Sequence, residues 1–132
     1  MKIEVSNGEI LDKYTILEIK MKNLEGVDAT KEANVRKEYE TLTPNVDKIF
    51  ASCTQKEELE DLYKDLYHIN QTLWNIEDQI RDCERDENFG ADFIELARSV
   101  YFTNDERSEV KKEINLITGS ELVEEKAYKD YK

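Results

Sequence analysis

The stretch LEDLYKDLYHINQTLWNIEDQIRDC, residues 59–83, decides the fold. Leu59, Leu62, Leu66, Ile69, Leu73, Ile76, Ile80 and Cys83 recur at alternating steps of three and four, with no glycine or proline among them. A 3.5-residue apolar period predicts one long helix whose apolar line lies against other helices.

Similar lines extend in both directions. Toward the N-terminus, Val35, Tyr39, Leu42, Val46, Ile49 and Cys53 predict a helix from about Thr30 to Cys53. Pro44, the only proline, falls inside it, and its missing N–H predicts a kink or a restart there. Upstream again, Ser6 and Glu9 have capping-box spacing, which starts a helix near Asn7 that Gly26 ends. That first helix carries Ile10, Tyr14, Leu17, Met21 and Leu24 on one line and Leu11, Ile16 and Ile19 off it. Apolar residues on most sides place it at the centre of the bundle. Thr54 and Glu57 form a second capping box ahead of the long third helix, which runs to about Arg85. After the turn at 86–90, Leu96, Val100, Thr103, Arg107, Val110, Ile114 and Ile117 trace a fourth helix from about Asp92 to Thr118, ended by Gly119. Thr103 and Glu106 repeat the capping spacing and raise a break near Asn104. Residues 120–132 form a charged tail, partly ordered, with Leu122 and Val123 as its docking residues. The fold class is therefore all-α: an antiparallel bundle of four main helices, built around a long hairpin of helices 3 and 4. At 132 residues the chain has the length of a single domain.

Composition narrows the function. A net charge of −12 argues against nucleic acid or an anionic membrane as partner, since both require a basic surface. No apolar run approaches the ~18 residues of a membrane span, and the N-terminus has no signal-peptide core. Two cysteines, Cys53 and Cys83, both on apolar lines, suit free thiols in the cytoplasm better than a disulfide framework. No phosphate loop, CxxC pair or serine-nucleophile motif occurs, and no catalytic residue is assigned. His68 lies three residues from Asp65, but a di-iron bundle needs a second such motif. No metal and no cofactor are expected.

Polar residues break the apolar lines at one level of the hairpin. Helix 3 carries a second stripe of Tyr63, Tyr67, Asn70, Trp74, Glu77 and Arg81, and helix 4 places Thr103 and Arg107 on its core line. A hairpin folded about residue 88 sets opposite each other residues whose numbers sum to about 177. Arg107 then faces Asn70, and Asn104 lies near Trp74 and Glu77. A central helix 1 adds Asp12, Lys13, Glu18 or Lys20. Polar groups on a packed face must be paired, so Arg107 is expected beside a carboxylate, Glu77 first and Asp78 second. Two functional classes follow. In one, these residues form a structural network inside a non-enzymatic interaction, assembly or regulatory protein. In the other, Asn70, Trp74, Glu77, Arg81, Asn104, Arg107 and Lys111 line a pocket for an anionic metabolite, as a binder or an enzyme.

Three stretches, EVSNGEILDKYTILEIK (4–20), LWNIEDQIR (73–81) and FIELARSVYFTNDERSEVKKEINLITGSELVEEKAY (93–128), resemble a domain-of-unknown-function family of small bacterial and phage proteins. The resemblance implies an all-helical fold and brings no activity and no site residues. Finally, a first helix of about 17 residues spans roughly 25 Å, against roughly 46 Å for a third helix of about 31. Part of the hairpin is then uncovered, and an uncovered apolar stripe predicts a homo-oligomer, most simply a two-fold dimer, or else an unidentified protein partner.

Overall fold

The computed structural model describes residues 1–131. It is an antiparallel all-α bundle of four helices: α1 (Asn7–Leu24), α2 (Ala29–Ser52), α3 (Lys56–Arg85) and α4 (Ala91–Ile117). Helix α1 packs against all three others, while α2 pairs with α1 and α3 with α4. The apolar residues on most sides of α1 thus find partners on most sides. The core gathers Leu11 and Tyr14 of α1, Val46 and Ile49 of α2, Cys53, Leu59 and Leu66 of α3, and Ile114 of α4. Among the described residues no helix is long and apolar enough to cross a membrane.

The ends follow local chemistry. The Ser6 hydroxyl accepts from the Glu9 N–H and opens α1, as the capping spacing requires. Beyond Ile117, Gly119 adopts a left-handed φ of 65°, and the Ser120 and Gly119 N–H groups donate to the Asn115 and Leu116 carbonyls. That pair of bonds is a Schellman closure. The same closure ends α3, where the Asn88 and Glu87 N–H groups donate to the Cys83 and Glu84 carbonyls. There the left-handed residue is Glu87, with φ 53°.

Three local expectations change. The Thr54–Glu57 box does not form: α3 begins at Lys56 behind Gln55, one residue later than the box needs, and no side chain caps it. Helix α2 runs through Pro44 without a restart. Pro44 is exposed, so only one helical donor is lost, and the freed carbonyl belongs to exposed Glu40, which water can solvate. Helix α4 does not break at Asn104. With no glycine or proline between Ala91 and Ile117, the Thr103–Glu106 spacing lies mid-helix beside α3 and caps nothing.

Helices α1 and α4 run antiparallel, Gly8 lying beside Asn115 and Asp12 beside Arg107. The α1 N-terminus therefore meets the α4 C-terminus, an arrangement the two helix dipoles favour. Contact there is close. A Cβ on Gly8 would lie 2.6 Å from the Lys111 carbonyl oxygen and 2.9 Å from Asn115 Oδ1. Past the crossing the hairpin projects as an arm of two helices. Beyond Asn70, Ile76 is the buried residue of α3, and α4 buries none before Lys111.

Candidate functional site

The polar residues that break the helix lines meet where α1 crosses the hairpin. Asp12 sits at the centre, with its side chain 1% exposed. Its Oδ1 accepts from Arg107 Nε at 2.9 Å and from Asn70 Nδ2 at 2.8 Å. Its Oδ2 accepts from Arg107 Nη2, which completes a two-pronged guanidinium–carboxylate pair. Asn70 Nδ2 also reaches Thr15 Oγ1 at 2.8 Å, and that hydroxyl donates to the Asp12 carbonyl at 2.7 Å. One turn along α4, Lys111 Nζ lies 2.7 Å from Glu9, 2.8 Å from Glu124 and 3.6 Å from Asp12.

The electrostatics follow from this wiring. The hydrogen bond to Asp12 raises the Arg107 pKa against the opposing effect of burial. For Lys111, burial pulls the pKa down, but the carboxylates of Glu124, Glu9 and Asp12 outweigh it and the net shift is upward. The Lys111 ammonium holds the Glu124 carboxyl below the usual range. Both cations are therefore charged and neutralised by side chains of the same chain.

The hairpin arithmetic is sound, since Asn70 and Arg107 share one carboxylate oxygen. Its choice of carboxylate is not. Arg107 pairs with Asp12 of α1, not with Glu77 or Asp78. Glu77 and Asp78 are exposed on α3, and Glu77 lies 3.8 Å from Arg81 in an ordinary one-turn pair. The central helix delivers its own acid to the crossing, and α3 turns Glu77 toward water. Of the other candidates, Asn104 borders a cleft of about 870 Å³ together with Arg107 and Lys111. Trp74, half-buried, and Glu77 and Arg81, both exposed, stand outside that lining. Glu9, Asp12, Thr15 and Glu124 join the network without having been singled out as site residues. Asp12 was visible as a polar residue on a central helix, but nothing in the sequence fixes how α1 is rotated against the hairpin.

A second polar cluster lies between α1, α2 and α3. Glu18 Oε1 accepts from Tyr63 Oη at 2.8 Å and from Tyr39 Oη at 3.3 Å, and Tyr39 stacks on Tyr14 with centroids 4.2 Å apart. Burial, then bonding to Glu18, pushes the Tyr63 phenol far up, and burial likewise raises Tyr39. Cys53 is a buried free thiol that donates to the Ile117 carbonyl, and Cys83 is a half-buried one. Among the described residues no group of three or more His, Cys, Asp or Glu side chains is placed to hold a metal ion.

The sequence from residue 1 to residue 131 matches the family of unknown function DUF6165. The chain belongs to that family. No curated protein and no solved structure matches it.

Proposed function

We propose that this DUF6165 chain is a non-enzymatic interaction protein that assembles through the projecting α3/α4 arm, with a second copy of itself as partner. The single observation that carries this reading is the arm's uncovered apolar stripe. Leu73, Trp74, Ile80 and Cys83 of α3, with Phe93, Leu96, Ala97 and Val100 of α4, are only half-buried, and Phe89 and Ile94 are more than half exposed. Two antiparallel helices cannot close a core; four can. A second arm brought up about a two-fold axis supplies the missing pair and lays the same stripe against itself. The line is also continuous with buried Leu59, Leu66 and Ile69, so the register that fills the core at one end carries into the arm at the other.

The polar crossing supports the same reading. Asp12 neutralises Arg107, and Glu9 and Glu124 neutralise Lys111, so the cations an anionic metabolite would use are already saturated. A paired network of this kind fixes helix register. Free thiols fit a reducing compartment, the cytoplasm. Sedimentation equilibrium tests the proposal. The expected result is a reversible dimer at tens of micromolar. A 15.6 kDa monomer at the highest attainable concentration would overturn it.

A further inference from the structure

The tail contributes one of the three carboxylates around Lys111, and it makes that contact from outside the bundle. Residues 121–131 are exposed throughout, and among the described residues no backbone hydrogen bond ties them to a helix. What holds them is a sequence of side-chain contacts along one face of α4. Glu124 reaches Lys111 at 2.8 Å and Glu125 reaches Lys112 at 3.3 Å. Further along, Lys126 pairs with Asp105. Tyr131 donates to Asp105 and sets its ring against Tyr101 and Phe102, each with centroids 5.3 Å away. The order 124, 126, 131 meets the order 111, 105, 101, so the tail retraces α4 in the opposite direction over about 15 Å.

Two features separate this contact from ordinary packing. The apolar residues of the tail do not carry it: Leu122 and Val123 stay 45% and 40% exposed. The tail also stands off the helix, leaving the cleft of about 870 Å³ and a second of about 670 Å³ between them. Exposed ion pairs and a ring contact, with no backbone ladder and no buried apolar anchor, hold the segment weakly enough to exchange.

We propose that the α4 face from Tyr101 to Lys112 is a docking surface for an extended segment bearing two carboxylates, a lysine and an aromatic ring in that order. The chain's own residues 124–131 occupy it in cis, and the same segment of another molecule can occupy it in trans. The assignment stands whether or not the arms associate, because it uses α4 side chains that are not part of the arm's apolar stripe.

A full-length variant, Glu124→Lys/Glu125→Lys/Tyr131→Ala, releases the tail while leaving every helix residue in place. The probe is a fluorescein-labelled peptide of residues 120–132, followed by anisotropy. The variant should bind it saturably and at least about tenfold more tightly than the wild type, whose tethered tail competes at roughly millimolar effective concentration. Adding Lys112→Glu and Tyr101→Ala, both at solvent-facing positions, should abolish binding with helicity unchanged by circular dichroism. Three results would overturn the proposal: no saturable binding by a variant of native helicity, equal binding by the wild type, or equal binding of a scrambled peptide of the same composition.

Discussion

Asp12 is the residue on which the crossing of three helices depends. Removing it leaves the Arg107 guanidinium half-buried and the Asn70 amide buried, each without its main acceptor. Asp12→Ala should therefore cost about 3–5 kcal/mol, the usual penalty for stranding one member of a buried pair. Replacing both members is a different experiment, because the desolvation cost disappears with the charges. Asp12→Leu/Arg107→Met should recover most of the loss in urea unfolding, and two losses that simply add would mean the residues are not coupled. At Glu124 the same physics becomes a pH dependence of tail docking. Lys111 faces Glu124 and depresses the docked carboxyl below its free value, against the opposing effects of burial and of the nearby Asp12 charge; Glu9 lies beside them. A depressed carboxyl contributes fully above its free value and loses that contribution as pH falls through the docked value. Lys111 is raised, so its contribution holds below the ordinary lysine value and is lost only as pH rises through the raised one. The tail should thus stay docked from weakly acidic pH into the alkaline range and lift as Glu124 protonates. The ring signals of Tyr131, shifted while they lie against Tyr101 and Phe102, should move toward random-coil values only as the pH falls below the range in which a free glutamate titrates.

Among the elements, two positions respond to glycine in opposite senses. Gly8 lies where α1 and α4 touch, and its N–H donates to Asn115 Oδ1 at 2.6 Å. Gly8→Ala drives a methyl into the Lys111 carbonyl, which is backbone and cannot swing away. A loss of about 1–3 kcal/mol is expected, as for other overpacked contacts. Glu87 is the reverse case, a side-chain-bearing residue held left-handed in the closure that ends α3. Glu87→Gly should raise stability by about 1 kcal/mol. The helices themselves were legible, because heptad spacing and glycine stops are properties of one segment. Even the level of Asn70 with Arg107 could be read, since a hairpin fixes that register by counting. The pairing of Arg107 with Asp12 could not be. It depends on how α1 is rotated against α3 and α4, and a helix apolar on most sides offers several rotations of similar burial. The tail contacts were hidden for a related reason. They rest on charges and a tyrosine, whose spacing carries no period, whereas the apolar Leu122 and Val123 that drew attention remain exposed.

For the whole molecule, charge opposes the association that apolar surface favours. Residues 71–106 carry ten acidic residues against three arginines, within a chain of net charge −12. Two arms laid together repel each other, although the charges sit mainly on the outer face: Arg81, Asp82 and Arg85 all have side chains more than 60% exposed. The stripe between them is apolar and indifferent to salt. Raising salt from ~0.1 to ~1 M shortens the screening length from about 10 to about 3 Å. The repulsion is then largely removed while burial of the stripe is retained, so association of the second copy should tighten with salt. An arm that instead bound a basic helix would respond in the opposite direction, since screening would weaken the attraction. The apolar contribution has its own test. Ile80→Glu places a carboxylate on the stripe two turns short of the arm's tip, where a dimer would have to desolvate it. Dimerisation should weaken by at least about tenfold, equivalent to about 1.4 kcal/mol. Monomer helicity should be retained, because Ile80 already faces solvent in part. Sedimentation at both salt concentrations, for the wild type and Ile80→Glu, reads both effects. A dimer that weakens with salt, or one that Ile80→Glu leaves intact, would mean that the arm is not the surface that joins the copies.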